Sequence, residues 1–385
     1  MLNREIDALI IGAGPAGASC AIGLAKRGWR VVVVDRSTFP RHKTCGGFIG
    51  PENQALLSEL GIWSKLLEQG ACVIEESFLT SSKGASTVIP IDGQALGVSR
   101  MKFDSLLLDR VKSMGVEVFE GAQARNIYNP NGGFEVAIDH YGNNKEFTLR
   151  TRHLIDASGQ HSPSVKLSDI QFGICAIYQG IPQAYNRVML HCCEGGHVGI
   201  NPFEENQVNV CYVVDSKYFK AKGQDPQKIL MNWINESPHL HDVMSQAVRV
   251  SSWKAIQIPV RNSIIHYENG IWRAGNSSAF INTVMGVGIS VALQSGQLLA
   301  QSITGYSHDI ERLTAYTQEY QKHFGAQRRL ADLFGRVAHY PWATDMVINF
   351  LDINKKFRQQ AMNYARPKVR INNKIAYAKG VLSEV

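Results

Sequence analysis

Hydrophobic positions near the start of the chain fall into two short runs, Asp7–Ile11 and Arg30–Asp35, both rich in Ile and Val. Between them lies a small-residue segment of helical length, so this stretch predicts a strand, a helix and a second strand of a parallel sheet. Leu56, Leu57, Leu60, Leu66 and Leu67 recur at helical spacing and predict one helix from about Pro51 to Gln69. Phe103, Leu106, Leu107 and Val111 do the same for a helix over Lys102–Met114. Val116–Phe119, Phe134–Ile138 and Phe147–Arg150 read as strands, with a turn at Asn129–Gly133. From about residue 165 to 260 the texture becomes mostly β, with Val208–Val214 alternating as a strand does. An α/β pattern returns at Ile271–Ala274, and helices are predicted over Val287–Ile303 and Ile310–Val337 and around Pro341.

These elements predict an α/β fold: a Rossmann-like dinucleotide-binding domain, an inserted and mostly antiparallel β domain facing the substrate, and C-terminal helices. The expected division is residues 1–165 with 260–305 for the first, 166–259 for the second, and 306–385 for a helical region with a basic tail; part of the substrate sheet is expected within 70–100. A chain of 385 residues with 44% hydrophobic and 19% charged positions buries a substantial core and is not disordered or fibrous.

The net charge of +7 has a location. Lys355, Lys356, Arg358, Arg366, Lys368, Arg370, Lys374 and Lys379 face one acid, Glu384, after residue 352, while bases and acids balance at 32 each before it. The neutral body argues against a nucleic-acid-binding face, and any electrostatic partner is expected at the tail. Phe350, Ile353, Phe357, Met362 and Tyr364 interleave with those bases, in the manner of an amphipathic helix that meets a membrane surface or an acidic protein.

Seven irregularly spaced cysteines form neither a disulfide framework nor a paired zinc motif, which favours a reducing, cytoplasmic setting. The most apolar stretch, Ala8–Ala25, carries four glycines and a proline, which suits a strand, a turn and a helix rather than a membrane span.

Gly12-Ala13-Gly14-Pro15-Ala16-Gly17 follows the first strand directly and opens the helix. The first glycine allows the tight turn, the second lets the backbone approach a pyrophosphate, and the third lets helix and strand pack closely. Asp35 ends the second strand, where a carboxylate can accept bonds from an adenosine ribose. Three further blocks accompany this fingerprint and Asp35-Arg36: Phe39-Pro40-Arg41-His42-Lys43-Thr44-Cys45-Gly46-Gly47, then Val98-Ser99-Arg100 with Phe103-Asp104, then Ala274-Gly275-Asn276 through Gly286-Val287-Gly288-Ile289.

In their order and spacing over residues 5 to about 305, these blocks resemble the FAD-dependent oxidoreductases of the p-hydroxybenzoate hydroxylase superfamily, especially the geranylgeranyl-reductase-like branch, to which flavin-dependent halogenases are related. The resemblance implies FAD contacts at Gly12, Gly14, Ala16, Gly17, Asp35, Arg36, Arg41, Cys45, Gly46, Arg100, Ala124, Asn276, Gly288 and Ile289. Arg100 is suited to neutralising pyrophosphate. A helix opening at Gly286–Ile289 would turn its N–H groups to the flavin and stabilise the anion formed on reduction.

The chain departs from that family in three places. Gly275-Asn276 stands where Gly-Asp is usual, removing a negative charge beside the flavin. Asp156-Ala157-Ser158-Gly159 replaces an Ala-Asp-Gly block, which leaves both NAD(P)H and a separate electron donor as reductants. His197-Val198-Gly199-Ile200-Asn201-Pro202, with Asn209-Val210-Cys211, replaces an aromatic wall, so a more polar and roomier pocket is expected.

Two side chains stand out as catalytic candidates. Cys45 sits near basic residues that would favour thiolate, and otherwise is a small packing residue. His197 would donate or accept protons near neutral pH, and otherwise is a packed core histidine. No metal is expected at His191-Cys192-Cys193, because adjacent cysteines on a strand point to opposite faces. The expected function is an FAD-dependent oxidoreductase, a monooxygenase-type enzyme acting on an aromatic or polarised organic substrate. The alternatives are an ene-reductase or dehydrogenase of the geranylgeranyl reductase type, and a flavoprotein that modifies a protein- or carrier-bound group.

Overall fold

The structure is a computed structural model that describes residues 5–130, 132–141, 145–159, 169–260 and 263–366. Two sheets organise it. The first has eight strands: β1 (Glu5–Ile11), β2 (Val31–Asp35), β6 (Glu117–Glu120), β7 (Ala122–Tyr128), β8 (Phe134–His140), β9 (Lys145–Asp156), β16 (Tyr267–Glu268) and β17 (Ile271–Arg273). Its centre runs β17-β9-β1-β2-β6, all parallel. The second, of nine strands, takes β3 (Phe48–Ile49), β4 (Cys72–Ser81), β5 (Ser86–Gly97), β10 (Asp169–Gln179), β11 (Arg187–Cys193), β12 (Gly196–Pro202), β13 (Val208–Asp215), β14 (Val248–Arg249) and β15 (Lys254–Val260). It is antiparallel apart from the β11–β4 pair.

The helices are α1 (Pro15–Ala25), α2 (Gln54–Glu59), α3 (Trp63–Glu68), α4 (Arg100–Ser113), α5 (Ser216–Ala221), α6 (Pro226–Glu236), α7 (Pro238–Met244), α8 (Gly288–Gly305), α9 (Asp309–Ala338), α10 (Pro341–Ile353) and α11 (Lys355–Ala365). Alternation along the parallel strands feeds two cores. Ala8, Ile10, Val31, Val33 and Ile155 meet α1, α4 and α8 on one face. Leu9, Val32, Val34 and Leu154 meet β7 and β8 on the other. A third core, around Trp233, Tyr212 and Val198, lies between one face of the nine-stranded sheet and α5–α7.

Two expectations change, and one strand, β7, was not foreseen. The single helix over Pro51–Gln69 is two helices, because Gly61 takes a positive φ of 77° and turns the chain between α2 and α3. The stretch between 165 and 260 is less uniformly β than its texture suggests, since α5, α6 and α7 occupy Ser216–Met244. Strand β7 carries little period-two signal because a bulge at Asn126, with φ 42°, shifts its register against β8. The turn at Asn129–Gly133 does join β7 to β8, with Asn131 outside the described residues. Also outside them are the 165/166 boundary and tail residues Lys368, Arg370, Lys374, Lys379 and Glu384.

Helices α1 and α8 touch backbone to backbone. A Cβ on Gly296 would lie 2.3 Å from the Ala16 carbonyl oxygen, and one on Gly23 would lie 2.8 Å from the Ala300 Cβ. Polar bonds lock the register: Ser19 Oγ donates to the Leu293 carbonyl at 2.7 Å, and Gln297 Nε2 to the Ser19 carbonyl at 2.6 Å. A Gly296→Val substitution must push the helices apart, at a cost of about 3 kcal/mol. Thermal denaturation is expected to begin several degrees lower; an unchanged melting temperature would show that the helices do not depend on this contact.

Candidate active site

The chain turns sharply after β1. Gly12 has φ 105° and donates its N–H to the Val34 carbonyl at 2.7 Å, and a Cβ there would lie 2.5 Å from the Ala157 oxygen. Gly17 packs so tightly that its Cβ would fall 1.8 Å from the Gly12 oxygen. Gly14, by contrast, is open, with Arg41 Nη2 its nearest neighbour at 3.8 Å. Helix α1 starts at Pro15 without a side-chain cap, so its first N–H groups remain available to an anion. Ala16 is buried at the contact between α1 and the Gly275 turn.

Asp35 closes β2 with each carboxylate oxygen already accepting one main-chain N–H at 2.8 Å, from Ser37 and from Ala13. A carboxylate has about four acceptor positions, so it can still take a ribose hydroxyl. Arg36 is exposed beside it. Ala124 lies on β7, packed against the core shared by β7, β8 and β9.

A cationic cluster adjoins the turn. Ser99 caps α4 by accepting from the Lys102 N–H, which places Arg100 in the first helical turn. Arg100 donates twice to Asp104 one turn on, at 2.7 and 2.6 Å. Arg41 Nη1 lies 3.0 Å from the same Asp104, and Arg41 Nη2 lies 3.9 Å from Asp35. Burial works against the Arg100 charge, but Asp104 holds its pKa above the ordinary arginine value. Lys43 has no such partner: burial, with Arg100 and Arg41 nearby, pushes it down to about 8. Arg41 Nη1 is buried and lacks an aligned hydrogen-bond acceptor. Three cations around one buried carboxylate fit a diphosphate.

The Cys45-Gly46 loop crosses the edge of the second sheet. Asn209 Nδ2 donates to the Cys45 and Gly46 carbonyls at 2.9 and 3.2 Å, and Asn201 Nδ2 to the Gly46 carbonyl at 3.1 Å. The asparagines expected as an open polar wall are therefore clamps that fix this loop. Gly46 itself is exposed, and nothing lies within 4 Å of where its Cβ would be. Phe48 carries the loop on to the start of α8, where a Cβ on Gly286 would lie 3.5 Å from its ring. There α8 begins without a side-chain cap: Gly288 is exposed and open, and Ile289 is buried beneath it. Asn276 is half-buried in the short turn at Gly275–Ser277, which the Ser277 hydroxyl ties to the Asp156 carbonyl at 2.6 Å. Asp156 itself is absorbed into the scaffold by Ser158 and Arg273.

His197 lies on β12, on the same sheet face as Asn201. Burial, with His339 nearby, lowers its pKa to about 4. That lowering favours the neutral imidazole near pH 7. Cys192 and Cys193 enter two different cores, as adjacent residues on a strand must. The sequence reading passed over Asp104 and Lys43 as site residues. An acid four residues after Arg100 on one helix was the readable signal for the first; the depressed Lys43 pKa arises from long-range packing and leaves no local trace.

The two uncapped helix starts, the cationic cluster between them and the clamped loop make this an FAD-dependent oxidoreductase fold. The chain belongs to the FAD binding domain family, which it matches over residues 5–324. It is 24% identical to a menaquinone reductase of Mycobacterium tuberculosis, over 86% of this chain and 84% of that one. To the 1H-pyrrole-2-carbonyl-[peptidyl-carrier protein] brominase of Pseudoalteromonas luteoviolacea it is 22% identical, over 88% and 87%. Conditioned medium factor receptor 1 of Dictyostelium discoideum is 22% identical over 77% of this chain, which spans 63% of that protein's length. Among solved structures, flavin-dependent brominase Bmp2 superposes with a TM-score of 0.81 at 18% identity, covering 94% of this chain and 93% of that one.

In this setting Arg41, Lys43 and Arg100 would hold the FAD diphosphate, and FAD would supply the two-electron chemistry. A diphosphate beside Lys43 raises its pKa, so binding takes up a proton once the pH exceeds the value of about 8 in the free protein. FAD affinity is therefore expected to be level below that pH and to fall by up to about tenfold per unit above it. Fluorescence titrations of FAD across this range measure the slope, and Lys43→Met should give a weaker, flatter profile. An equal slope in the variant would assign the titration to another group.

Proposed function

We propose that the protein is a monooxygenase-type flavoenzyme acting on a compact aromatic or polarised substrate. The observation that carries this reading is the face of the second sheet beneath the Cys45-Gly46 loop. Strand alternation puts Gly173, Cys175 and Ile177 of β10, His197 and Gly199 of β12, and Cys211 and Val213 of β13 on this face, with Asn201 and Asn209 holding the loop across it. It carries no Phe, Tyr or Trp from these strands among the described residues. A surface of small and polar groups suits a compact polar molecule better than a long apolar chain. The uncapped start of α8 supports the same chemistry, since its N–H groups favour negative charge on a reduced cofactor.

A reductase acting on a carbon–carbon double bond is the second reading. The Cys45-Gly46 segment, with Gly46 exposed, and the menaquinone reductase relative favour it. The brominase relative, whose name specifies a carrier-bound pyrrole, favours a substrate delivered on a carrier. The reductant is NAD(P)H or a separate electron donor. Oxygen uptake by the reduced enzyme separates the first two readings. Substrate-dependent incorporation of labelled oxygen, with peroxide release falling as product forms, is expected. Conversion of an alkene to its saturated product without oxygen consumption would establish the reductase instead.

We also propose a peripheral membrane contact at the outer face of α10 and α11. Trp342, Met346, Phe350, Ile353 and Phe357 are all exposed at helical spacing, with Lys355 and Lys356 exposed beside them. The acids of this region are engaged by the second sheet: half-buried Asp345 accepts from Ser81, and Asp352, which stays exposed, accepts from Thr87. An apolar stripe flanked by bases fits an anionic bilayer surface. The helix is not a solvated appendage, for Arg366 pairs with Glu52 at 3.3 Å and covers the Phe48 ring. No helix among the described residues is long and apolar enough to cross a membrane. Sedimentation is expected with vesicles containing phosphatidylglycerol, to weaken with salt, and to be lost in a Trp342→Ser/Phe350→Ser/Ile353→Ser variant of unchanged melting temperature. Equal sedimentation of the variant would overturn this surface.

A further inference from the structure

Of the seven cysteines, three meet at the clamped loop. Cys175 on β10 stands directly opposite Cys211 on β13. The Cys45 loop crosses this part of the sheet, its carbonyl held by Asn209, two residues from Cys211 on β13.

The strand geometry is specific. Ile177 turns its N–H to Ser251 Oγ and receives the Val250 N–H on its carbonyl, each at 2.9 Å, so both groups point away from β13. Cys175, two residues earlier on the same strand, has the same orientation. Asp215 donates its N–H to the Gly195 carbonyl at 2.9 Å, towards β12, and Cys211 shares that direction four residues earlier. Cys175 and Cys211 are therefore a non-hydrogen-bonded antiparallel pair, the closer of the two kinds, with Cα atoms about 4.5 Å apart. That spacing lies within the span a disulfide bridges.

We propose that Cys175 and Cys211 form a peroxide-reactive dithiol that closes to a disulfide beneath the Cys45 loop. Its neighbours, the Cys211 thiol first and then the Cys45 main chain and Thr44, lower the Cys175 pKa to about 7, while Cys211 is raised and keeps its proton. Cys20 and Cys192, buried and pushed up to about 12, have no comparable surroundings. The chemistry balances in two steps. The Cys175 thiolate attacks hydrogen peroxide, the O–O bond breaks, a sulfenic acid forms and hydroxide leaves, to be protonated to water. The Cys211 thiol then attacks that sulfur, the S–O bond breaks, and a second water leaves with the thiol proton. Two thiols lose two electrons, and one peroxide becomes two waters.

Peroxide is the product a reduced flavin makes from oxygen when no substrate is turned over, so its local supply rests on the oxygen-using reading above. The reactivity of the pair does not, and the experiment therefore adds peroxide directly. The oxidised holoprotein is treated with hydrogen peroxide, blocked with N-ethylmaleimide and digested without reductant. A peptide linking Cys175 to Cys211, two hydrogens lighter than the separate thiols and released by dithiothreitol, is expected. It should persist in Cys45→Ser and be lost in Cys175→Ser. In Cys211→Ser a dimedone-reactive sulfenic acid should remain at Cys175. Absence of the linked peptide, or a link from Cys175 to Cys45 instead, would overturn the assignment. Protein that forms the link yet consumes no oxygen when reduced would leave the dithiol standing and refute only the oxygen-using reading.

Discussion

The site depends on two helices lying closer than side chains ordinarily permit. Gly296 and Gly23 let α1 and α8 meet through their backbones, and Ser19 and Gln297 fix how far along each other they sit. Because both helices begin without side-chain caps, this contact brings two sets of unpaired N–H groups to one region of the molecule. Their partial positive charges add to those of Arg41, Lys43 and Arg100, with Asp104 as the buried counter-charge. Small residues at the helix interface are thus an electrostatic device as much as a packing one: bulkier ones would separate the two anion-binding ends.

The second sheet answers with polar clamps. Asn201 and Asn209 hold the carbonyls of Cys45 and Gly46, and Gly47, with φ 70°, packs where a Cβ would meet the Phe203 ring at 2.3 Å. The loop that joins the two sheets is thereby rigid at its base while Gly46 stays exposed at its crest. A rigid loop with one open position orients a reactant without covering it.

Much of this was legible in the chain. The strand, glycine turn and helix at residues 5–25 follow from local pattern, as do the long helices α8 and α9, because each carries its own period and punctuation. Gly61 concealed the break between α2 and α3, since leucines on both sides kept a helical rhythm across the turn. Asn201 and Asn209 were read as a pocket wall because sequence gives the face of a strand but not what crosses it. The His197 environment, with His339 more than a hundred positions away, was invisible for the same reason: it is set by burial and by partners distant in the chain. The meeting of Cys175 with Cys211 required a strand register that alternation alone leaves open.

Strand order in the first sheet also sets a timetable. β9 sits between β1 and β17, and β17 is made only after all of β10–β15. A ribosome adding roughly 5–20 residues per second leaves β9 waiting about ten seconds for its last parallel neighbour, and β1 with its glycine turn waiting tens of seconds for α8. During that interval the nascent chain presents half of a nucleotide site and an unfinished sheet edge. Loading of the cofactor is thus a late event in the life of each molecule, and the exposed edge of β9 is the point at which a newly made chain is most open to mispairing with another.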